Sequence, residues 1–256
     1  MRYGLIGEKL GHSYSKVIHE KIADYTYDLL PLTGEEFKDF MSKKDFTAIN
    51  VTIPYKQAVI PYLDELDPLA KEIGAVNTIV NHGGHYIGYN TDFFGFQYML
   101  EHNGIQVKDK KCLILGSGGT SHTVASVFKH LGASQVLIIS RQTTNTTISY
   151  EECYAKHTDA PVIANTTPQG MYPNMDASPI DLTTFTGCEA VVDAIFNPLE
   201  TKLTQQAKQL GKKGVTGLEM LVAQAKQAIE YFLDIKLEDR VIEDTYRYLL
   251  EVIASK

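Results

Sequence analysis

The first ninety residues alternate short apolar runs with segments whose apolar residues recur at helical spacing. Strands are predicted over the apolar runs 2–7, 27–32 and 46–53. Helices are predicted over 15–26, 33–43 and 68–75. Thr33 and Glu36 have the spacing of a capping box at the start of the second helix. Residues 77–90 predict a hairpin that turns at Gly83 and Gly84.

From about residue 92 the pattern becomes more regular. A helix over 92–104 precedes continuous apolar runs that predict buried strands over 110–116, 134–140, 160–167 and 188–197. A helix is predicted between the first two of these strands, ending at Gly132. Buried strands separated by helices are typical of a parallel sheet covered on both faces. Two more helices are predicted over 217–234 and 243–255.

This order predicts an α/β protein of two domains. The first is an α/β domain over 1–92, to which the helices of 217–256 return, and the second is a Rossmann-like, doubly wound domain over 93–216. We expect a crevice between them to hold the ligand.

Composition narrows the class of protein. The 256 residues are 44% hydrophobic with a net charge of −7, which fits a globular protein and disfavours nucleic acid as a partner. No apolar run is long enough to span a membrane, and the N-terminus lacks a secretory signal pattern. Three cysteines without metal-ligand spacing predict no metal site and fit a reducing cytoplasm.

A glycine-rich turn predicts a dinucleotide site. Gly116, Ser117, Gly118, Gly119 and Thr120 lie between a predicted strand and a predicted helix. Glycines there let a pyrophosphate approach the backbone and the helix N-terminus, although a turn without ligand remains the alternative. The next strand ends in Ser140 and Arg141 with no acidic residue, which favours the 2′-phosphate of NADP over NAD.

Other polar residues follow or precede the predicted strands of the first domain. Lys56 comes just after the strand of "NVTIPYK", Ser13 and Ser15 follow the first strand, and Asn77 and Asp92 flank the hairpin. Each has a structural alternative. Lys56 is then a surface lysine, Ser13 a turn or cap, Asn77 a strand-edge group and Asp92 a helix N-cap.

Eight motifs in order resemble the shikimate dehydrogenase family over nearly the whole chain. They are "GHSYS", "NVTIPYK", "GAVNT", "YNTD", "GSGGTS", "NTTPQGM", "DAIFNP" and "GLEMLVAQA". The resemblance implies reversible NADPH-dependent reduction of 3-dehydroshikimate to shikimate, in aromatic amino-acid biosynthesis, and leaves a homodimer open.

The resemblance also implies roles for individual residues. Lys56 and Asp92 are the catalytic pair, which supplies a proton and charge stabilisation at the substrate oxygen. Ser13 and Ser15 hold the carboxylate of shikimate. The remaining substrate contacts are Thr52, Asn77, Gln224 and Phe196. Besides the glycine loop, Ser140 and Arg141, the cofactor contacts are Thr166, Ala194 and Gly217.

The sequence departs from the usual family pattern at five places. They are Lys16, Ser117, the Thr120-Ser121-His122 run, the Ser140-Arg141-Gln142 run, which lacks a second basic residue nearby, and Phe196, where a tyrosine that contacts substrate is common. Two alternatives remain. One is a quinate or shikimate dehydrogenase of relaxed substrate or cofactor choice. The other is a non-catalytic shikimate sensor, which would not need Lys56 and Asp92 and would need an output domain.

Overall fold

The computed structural model describes residues 2–11 and 13–255. The described chain divides into two units. The first runs up to Gly95 and resumes at Leu221, and the second is Phe96–Met220. No helix of the described residues has the length and apolar character needed to cross a membrane.

The first unit is built on a mixed six-stranded sheet. Its strands are β1 (Tyr3–Gly7), β2 (Asp28–Pro31), β3 (Ala48–Val51), β4 (Glu65–Leu66), β5 (Thr78–His82) and β6 (His85–Tyr89). The spatial order is β2-β1-β3-β5-β6-β4. β1 is parallel to β2 and β3, whereas β5 is antiparallel to both β3 and β6. As a result, the ends of β1, β3 and β6 and the start of β5 all lie along one edge of this sheet.

Helices cover both faces of this sheet. They are α1 (Ser15–Ile22), α2 (Gly34–Lys43), α3 (Pro68–Ile73) and α9 (Arg240–Ala254), together with the start of α4 (Asp92–His102) and most of α8 (Leu218–Leu233). Successive strand residues point to opposite faces. Ile6 and Ile49 therefore join the core with Phe37 of α2, whereas Leu5 and Ala48 pack with Phe232 of α8.

The second unit is built on a six-stranded sheet that is parallel throughout. Its strands are β7 (Lys111–Leu115), β8 (Gln135–Ile139), β9 (Thr147–Ile148), β10 (Val162–Asn165), β11 (Ala190–Asp193) and β12 (Lys213–Val215). The order β12-β11-β10-β7-β8-β9 is that of a doubly wound Rossmann sheet. The change of winding direction falls between β7 and β10, which is where such sheets bind ligands.

The helices of the second unit include α5 (Gly119–His130), α6 (Tyr150–Lys156) and α7 (Lys202–Gln209). The core on one face joins Leu113 of β7 and Ile163 of β10 to Cys153 of α6 and Leu203 of α7. All these groups are buried, because the strands are apolar on both faces as the sequence predicts.

Most predicted elements are present, and the predicted α/β fold class is confirmed. The capping box of α2 is formed by Thr33 and Glu36, and the hairpin turns at Gly83 and Gly84. Several ends differ from the prediction, and two of them lie in the first unit near the candidate site. The first helix stops at Ile22, because Ala23 is extended. The third strand stops at Val51 rather than before Pro54, because the backbone already turns at Thr52, whose carbonyl accepts a hydrogen bond from the Tyr55 N–H.

Candidate active site

Lys56 and Asp92 form an ion pair in the first unit. The Nζ of Lys56 lies 2.6 Å from Oδ2 of Asp92, and only 13% and 9% of the two side chains are exposed. Lys56 follows β3 and Asp92 follows β6, so both belong to the edge of the sheet where these strands end. The surface-lysine alternative is therefore wrong for Lys56.

The loop that carries Lys56 is held by buried contacts on both sides. The Lys56 carbonyl accepts a hydrogen bond of 2.8 Å from the N–H of Val76. The neighbouring Tyr55 stacks on Phe37 with ring centroids 4.1 Å apart and donates its hydroxyl to the Leu32 carbonyl at 2.7 Å. These contacts fix the backbone of Lys56 and so restrict where its side chain can reach.

Asp92 is the first residue of α4, but its carboxylate is not the group that caps the helix. Oδ1 of Asn90 accepts the hydrogen bond from the N–H of Phe93, at 3.2 Å. The carboxylate of Asp92 is paired with Lys56 instead. The positive end of the helix dipole also favours a carboxylate in this first turn. The N-cap alternative for Asp92 is thus not what the geometry supports.

Ser13 and Ser15 bring two hydroxyls together after β1. The Ser13 hydroxyl donates to Oγ of Ser15 at 3.1 Å and accepts from the N–H of Ser15 at 3.2 Å. Ser15 is the first residue of α1 and is buried. The structure therefore contains the turn expected if Ser13 is only structural. It also contains the two adjacent hydroxyls expected if the serines bind a substrate.

Thr52, Asn77 and Gln224 also lie in the first unit. Thr52 follows β3, and its N–H donates to the Ile6 carbonyl at 2.9 Å. Asn77 directly precedes β5 and is 3% exposed. Oδ1 of Asn77 accepts the N–H of Thr91 at 2.7 Å, and Thr91 Oγ1 lies 3.4 Å from Oε1 of Gln224. Asn77 and Gln224 are thus connected through one threonine next to Asp92.

Phe196 lies in the second unit, between β11 and α7, and is half-buried. Its predicted contact with substrate stays a prediction.

The glycine-rich turn of the second unit has the form that a dinucleotide requires. Gly116 directly follows β7 with φ +102°, and a Cβ there would lie 3.0 Å from Thr166 Oγ1 and from Thr167 Cγ2. At Gly118, by contrast, the described residues place no atom within 4 Å of where a Cβ would be. Gly119 then begins the 12-residue α5. Gly116 therefore allows the loops after β7 and β10 to approach each other, and Gly118 leaves the N-terminus of α5 open to an anion.

Ser140 and Arg141 follow β8, the strand next to β7. The hydroxyls of Ser140 and Ser117 lie 3.0 Å apart and connect the two loops. Arg141 is exposed and forms no ion pair within the described part of the chain. Its guanidinium is thus available for an anionic ligand.

Thr166, Ala194 and Gly217 follow β10, β11 and β12 at the same edge of the parallel sheet. Thr166 donates its hydroxyl to the Leu115 carbonyl at 2.7 Å, across the point where the winding changes. Gly217 approaches Ala194 so closely that a Cβ would lie 2.3 Å from the Ala194 carbonyl oxygen. All predicted cofactor residues therefore surround one end of this sheet.

A buried carboxylate that the sequence reasoning missed connects these loops. Asp193 is fully buried and accepts hydrogen bonds from Asn165 Nδ2 at 3.0 Å and Thr201 Oγ1 at 2.7 Å. Burial raises the pKa of Asp193 to about 6 despite these donors. An aspartate that ends an apolar strand, in "AVVD", is the signal that could have indicated it. No group of three His, Cys, Asp or Glu among the described residues is arranged to hold a metal ion.

Known proteins resemble the chain over nearly its whole length. The family model described as the shikimate dehydrogenase substrate binding domain matches residues 5–79. The NADP(+) shikimate dehydrogenase of Clostridium beijerinckii is 34% identical over 95% of this chain and 96% of its own length. The chain belongs to the shikimate dehydrogenase family.

Solved structures of this family have the same fold. Shikimate dehydrogenase 1 of Peptoclostridium difficile superposes with a TM-score of 0.90 at 34% identity, covering 97% of this chain and 98% of that one. The shikimate 5-dehydrogenase of Thermus thermophilus, solved with NADP(H) and shikimate, has a TM-score of 0.86 at 28% identity, covering 97% and 99%.

Proposed function

We propose that this protein is an NADP-dependent shikimate dehydrogenase that reversibly reduces 3-dehydroshikimate to shikimate. The observation that carries the proposal is the ion pair of Lys56 and Asp92, 2.6 Å long and largely buried, at the sheet edge that also holds Ser13, Ser15 and Asn77. Its family membership, with relatives named for this activity, supports the same conclusion.

The residues of the first unit suit a polyhydroxylated carboxylate. The paired hydroxyls of Ser13 and Ser15 offer hydrogen-bond donors to a carboxylate. Thr52 and the amides of Asn77 and Gln224 offer both donors and acceptors to ring hydroxyls. Phe196, which belongs to the second unit, lacks the hydroxyl that a tyrosine would add at that position. These roles form part of the proposal.

Lys56 and Asp92 supply the proton chemistry. When the substrate carbonyl is reduced, its oxygen gains negative charge and needs a proton. The ammonium of Lys56 stabilises that charge and donates the proton, and the carboxylate of Asp92 orients the ammonium and accepts a hydrogen bond from a substrate hydroxyl. In the reverse direction Lys56 accepts the proton.

The second unit fits NADP. When bound, NADPH supplies the hydride. Gly116, Gly118 and Gly119 shape the turn before α5 that would hold the pyrophosphate at the helix N-terminus. Arg141 is exposed, has no acidic partner among residues 2–11 and 13–255, and suits a 2′-phosphate. Thr166, Ala194 and Gly217 line the far side of the same edge.

A non-catalytic sensor is disfavoured, because catalysis needs a buried, paired lysine and aspartate and simple binding does not.

We also propose a cytoplasmic location, because Cys112, Cys153 and Cys188 are all unpaired and buried, as in a reducing compartment. A homodimer stays a prediction that sedimentation velocity tests.

The test is a spectrophotometric assay of the purified protein at 340 nm. 3-Dehydroshikimate and 3-dehydroquinate are each paired with NADPH and NADH. We expect the highest kcat/KM for 3-dehydroshikimate with NADPH. Equal or better rates with 3-dehydroquinate or NADH would favour the relaxed-specificity alternative, and the absence of oxidation in all four mixtures would favour the sensor.

A further inference from the structure

A buried polar network lies beneath the candidate substrate residues of the first unit. Its six members are at most 8% exposed and come from β3, β5, α8 and the residues just before β2, β5 and α4: Tyr27, Asn50, Asn77, Thr78, Thr91 and Gln224. Buried networks of this kind fix the orientation of each member only if donors and acceptors match throughout. Backbone groups that can only donate or only accept set the direction of most of its hydrogen bonds.

The amide of Asn77 has its orientation fixed by the backbone. The N–H of Thr91 can only donate, and it lies 2.7 Å from Oδ1 of Asn77, so that atom is the carbonyl oxygen. The NH₂ group is then the atom that lies 3.0 Å from Thr91 Oγ1, to which it donates. The Thr91 hydroxyl keeps its own hydrogen to donate, and its acceptors are Oδ1 of Asn77 at 3.2 Å and Oε1 of Gln224 at 3.4 Å.

The amide of Asn50 is fixed in the same way. The backbone carbonyl of Asn77 can only accept, so the group of Asn50 that lies 3.2 Å from it is the NH₂. Its other hydrogen is donated to Thr78 Oγ1 at 3.0 Å. The Tyr27 hydroxyl donates to Oδ1 of Asn50 at 2.7 Å. Asn50 therefore has all of its hydrogen-bonding groups engaged.

Thr78 transmits this direction to Asn77. Because its hydroxyl accepts from Asn50, its single hydrogen is donated onward. Two acceptors lie within 3.1 Å, namely Oδ1 of Asn77 and Oγ1 of Thr91. Donation to Oδ1 of Asn77 adds a second donor to that oxygen and reinforces the orientation that the Thr91 N–H sets, whereas donation to Thr91 leaves that orientation unchanged. One NH₂ hydrogen of Asn77 then has no partner among the described residues.

We propose that Asn50 and Thr78 are positioning residues that hold the Asn77 amide as a hydrogen-bond donor to a ring hydroxyl of the substrate. This inference rests on the proposed function, in which Asn77 contacts substrate. A ring hydroxyl that accepts from Asn77 is free to donate its own hydrogen, and the carboxylate of Asp92, the residue after Thr91 in the chain, is an acceptor that can take it. The site thus selects a free hydroxyl, which both accepts and donates, at that ring position.

The test compares two substitutions of Thr78. Thr78→Val keeps the branched shape and removes the hydroxyl, whereas Thr78→Ser keeps the hydroxyl. Thr245→Val is the matched control, since Thr245 is a similarly buried threonine of α9 outside the site. Steady-state KM and kcat are measured for NADP, for shikimate and for shikimate analogues that each lack one ring hydroxyl.

We expect Thr78→Val to raise the KM for shikimate about three- to ten-fold, the value of one neutral hydrogen bond, with the KM for NADP unchanged. Thr78→Ser and Thr245→Val should behave like the wild type. For the one analogue that lacks the hydroxyl reached by Asn77, the wild type and Thr78→Val should have the same KM, because the lost contact is the same.

Two results would overturn the inference. One is a Thr78→Val enzyme with an unchanged KM for shikimate. The other is a KM that rises by the same factor for shikimate and for every analogue, which indicates a general disturbance. If Thr78→Val does not fold, Asn50→Ala takes its place in the same comparison, with the same outcomes. Failure of the proposed function is a separate result, since the wild type itself would then not oxidise shikimate.

Discussion

Replacing Lys56 with methionine separates the chemical role of the Lys56–Asp92 pair from its role in stability. The variant keeps the aliphatic length but leaves the carboxylate of Asp92, 9% exposed, without its cation. Breaking a buried pair in this way costs about 3–5 kcal/mol, and residual solvent contact places the expected loss in the free energy of unfolding nearer to about 3 kcal/mol. Loss of a general acid should lower kcat by about 10²- to 10⁴-fold.

The double variant Lys56→Met with Asp92→Asn makes the two effects diverge. Removing both charges relieves the unpaired carboxylate, so we expect stability to recover most of the loss while kcat stays low. Lys43→Met is the matched control, because Lys43 and Asp39 are also 2.6 Å apart but are 67% and 64% exposed. Exposed pairs contribute little, so that variant should match the wild type in both measurements.

Urea unfolding followed by circular dichroism gives the stabilities, and the assay at 340 nm gives kcat at saturating substrate. The reasoning fails if Lys56→Met retains kcat within a few-fold of the wild type. It also fails if the double variant is no more stable than the single one, since the pair would then not be the buried unit that its exposure indicates.

Three further predictions concern other parts of the protein. Ser13→Ala or Ser15→Ala should raise the KM for shikimate about ten-fold or more with kcat nearly unchanged, and an unchanged KM in both would refute the carboxylate assignment. Arg141→Ala should raise the KM for NADPH about ten- to a hundred-fold and leave that for NADH nearly unchanged, whereas equal weakening of both would refute the phosphate contact. Asp193 has its pKa raised from 3.8 to about 6, so the folded state binds the proton more tightly than the unfolded one. Its contribution to the free energy of unfolding should therefore fall by about 3 kcal/mol as pH rises from about 4 to above 6. Urea titrations across that range should show this fall in the wild type and not in Asp193→Asn. Parallel curves of stability against pH for the two proteins would contradict the prediction.

The sequence predicts the elements that carry a strong local signal. The apolar strands of the second unit, the capping box of Thr33 and the Gly83-Gly84 turn depend on neighbouring residues, so they can be recognised locally. Elements with few apolar residues were missed. α7, "KLTQQAKQ", and α6, "YEECYAK", have too few apolar positions for a clear period, and β4, β9 and β12 are two or three residues long.

The sequence predicts which residues form the candidate site but not how they contact one another. Motifs bring Lys56 and Asp92 to attention, but that they pair depends on β3 and β6 ending at the same sheet edge, which local sequence does not specify. The supporting residues Asn50 and Thr78 lie inside predicted strands, where a polar residue has no periodic signal of its own. Their role follows only from the hydrogen-bond directions that pairing of β3 with β5 creates.

Gly7 is not among the residues assigned to the substrate, but it restricts which residue can occupy position 52, which is assigned to it. A Cβ at this position would lie 2.5 Å from Cγ2 of Thr52 and 2.9 Å from Cδ2 of Leu10. Any larger residue there displaces the threonine assigned to the substrate, unless position 52 shrinks in the same lineage. The two positions, 45 apart in the chain, are therefore expected to change together or not at all. A saturation library scored by growth without aromatic amino acids should find Gly7 as intolerant as a contact residue, with serine at position 52, which loses the methyl and keeps the hydroxyl, as the suppressor.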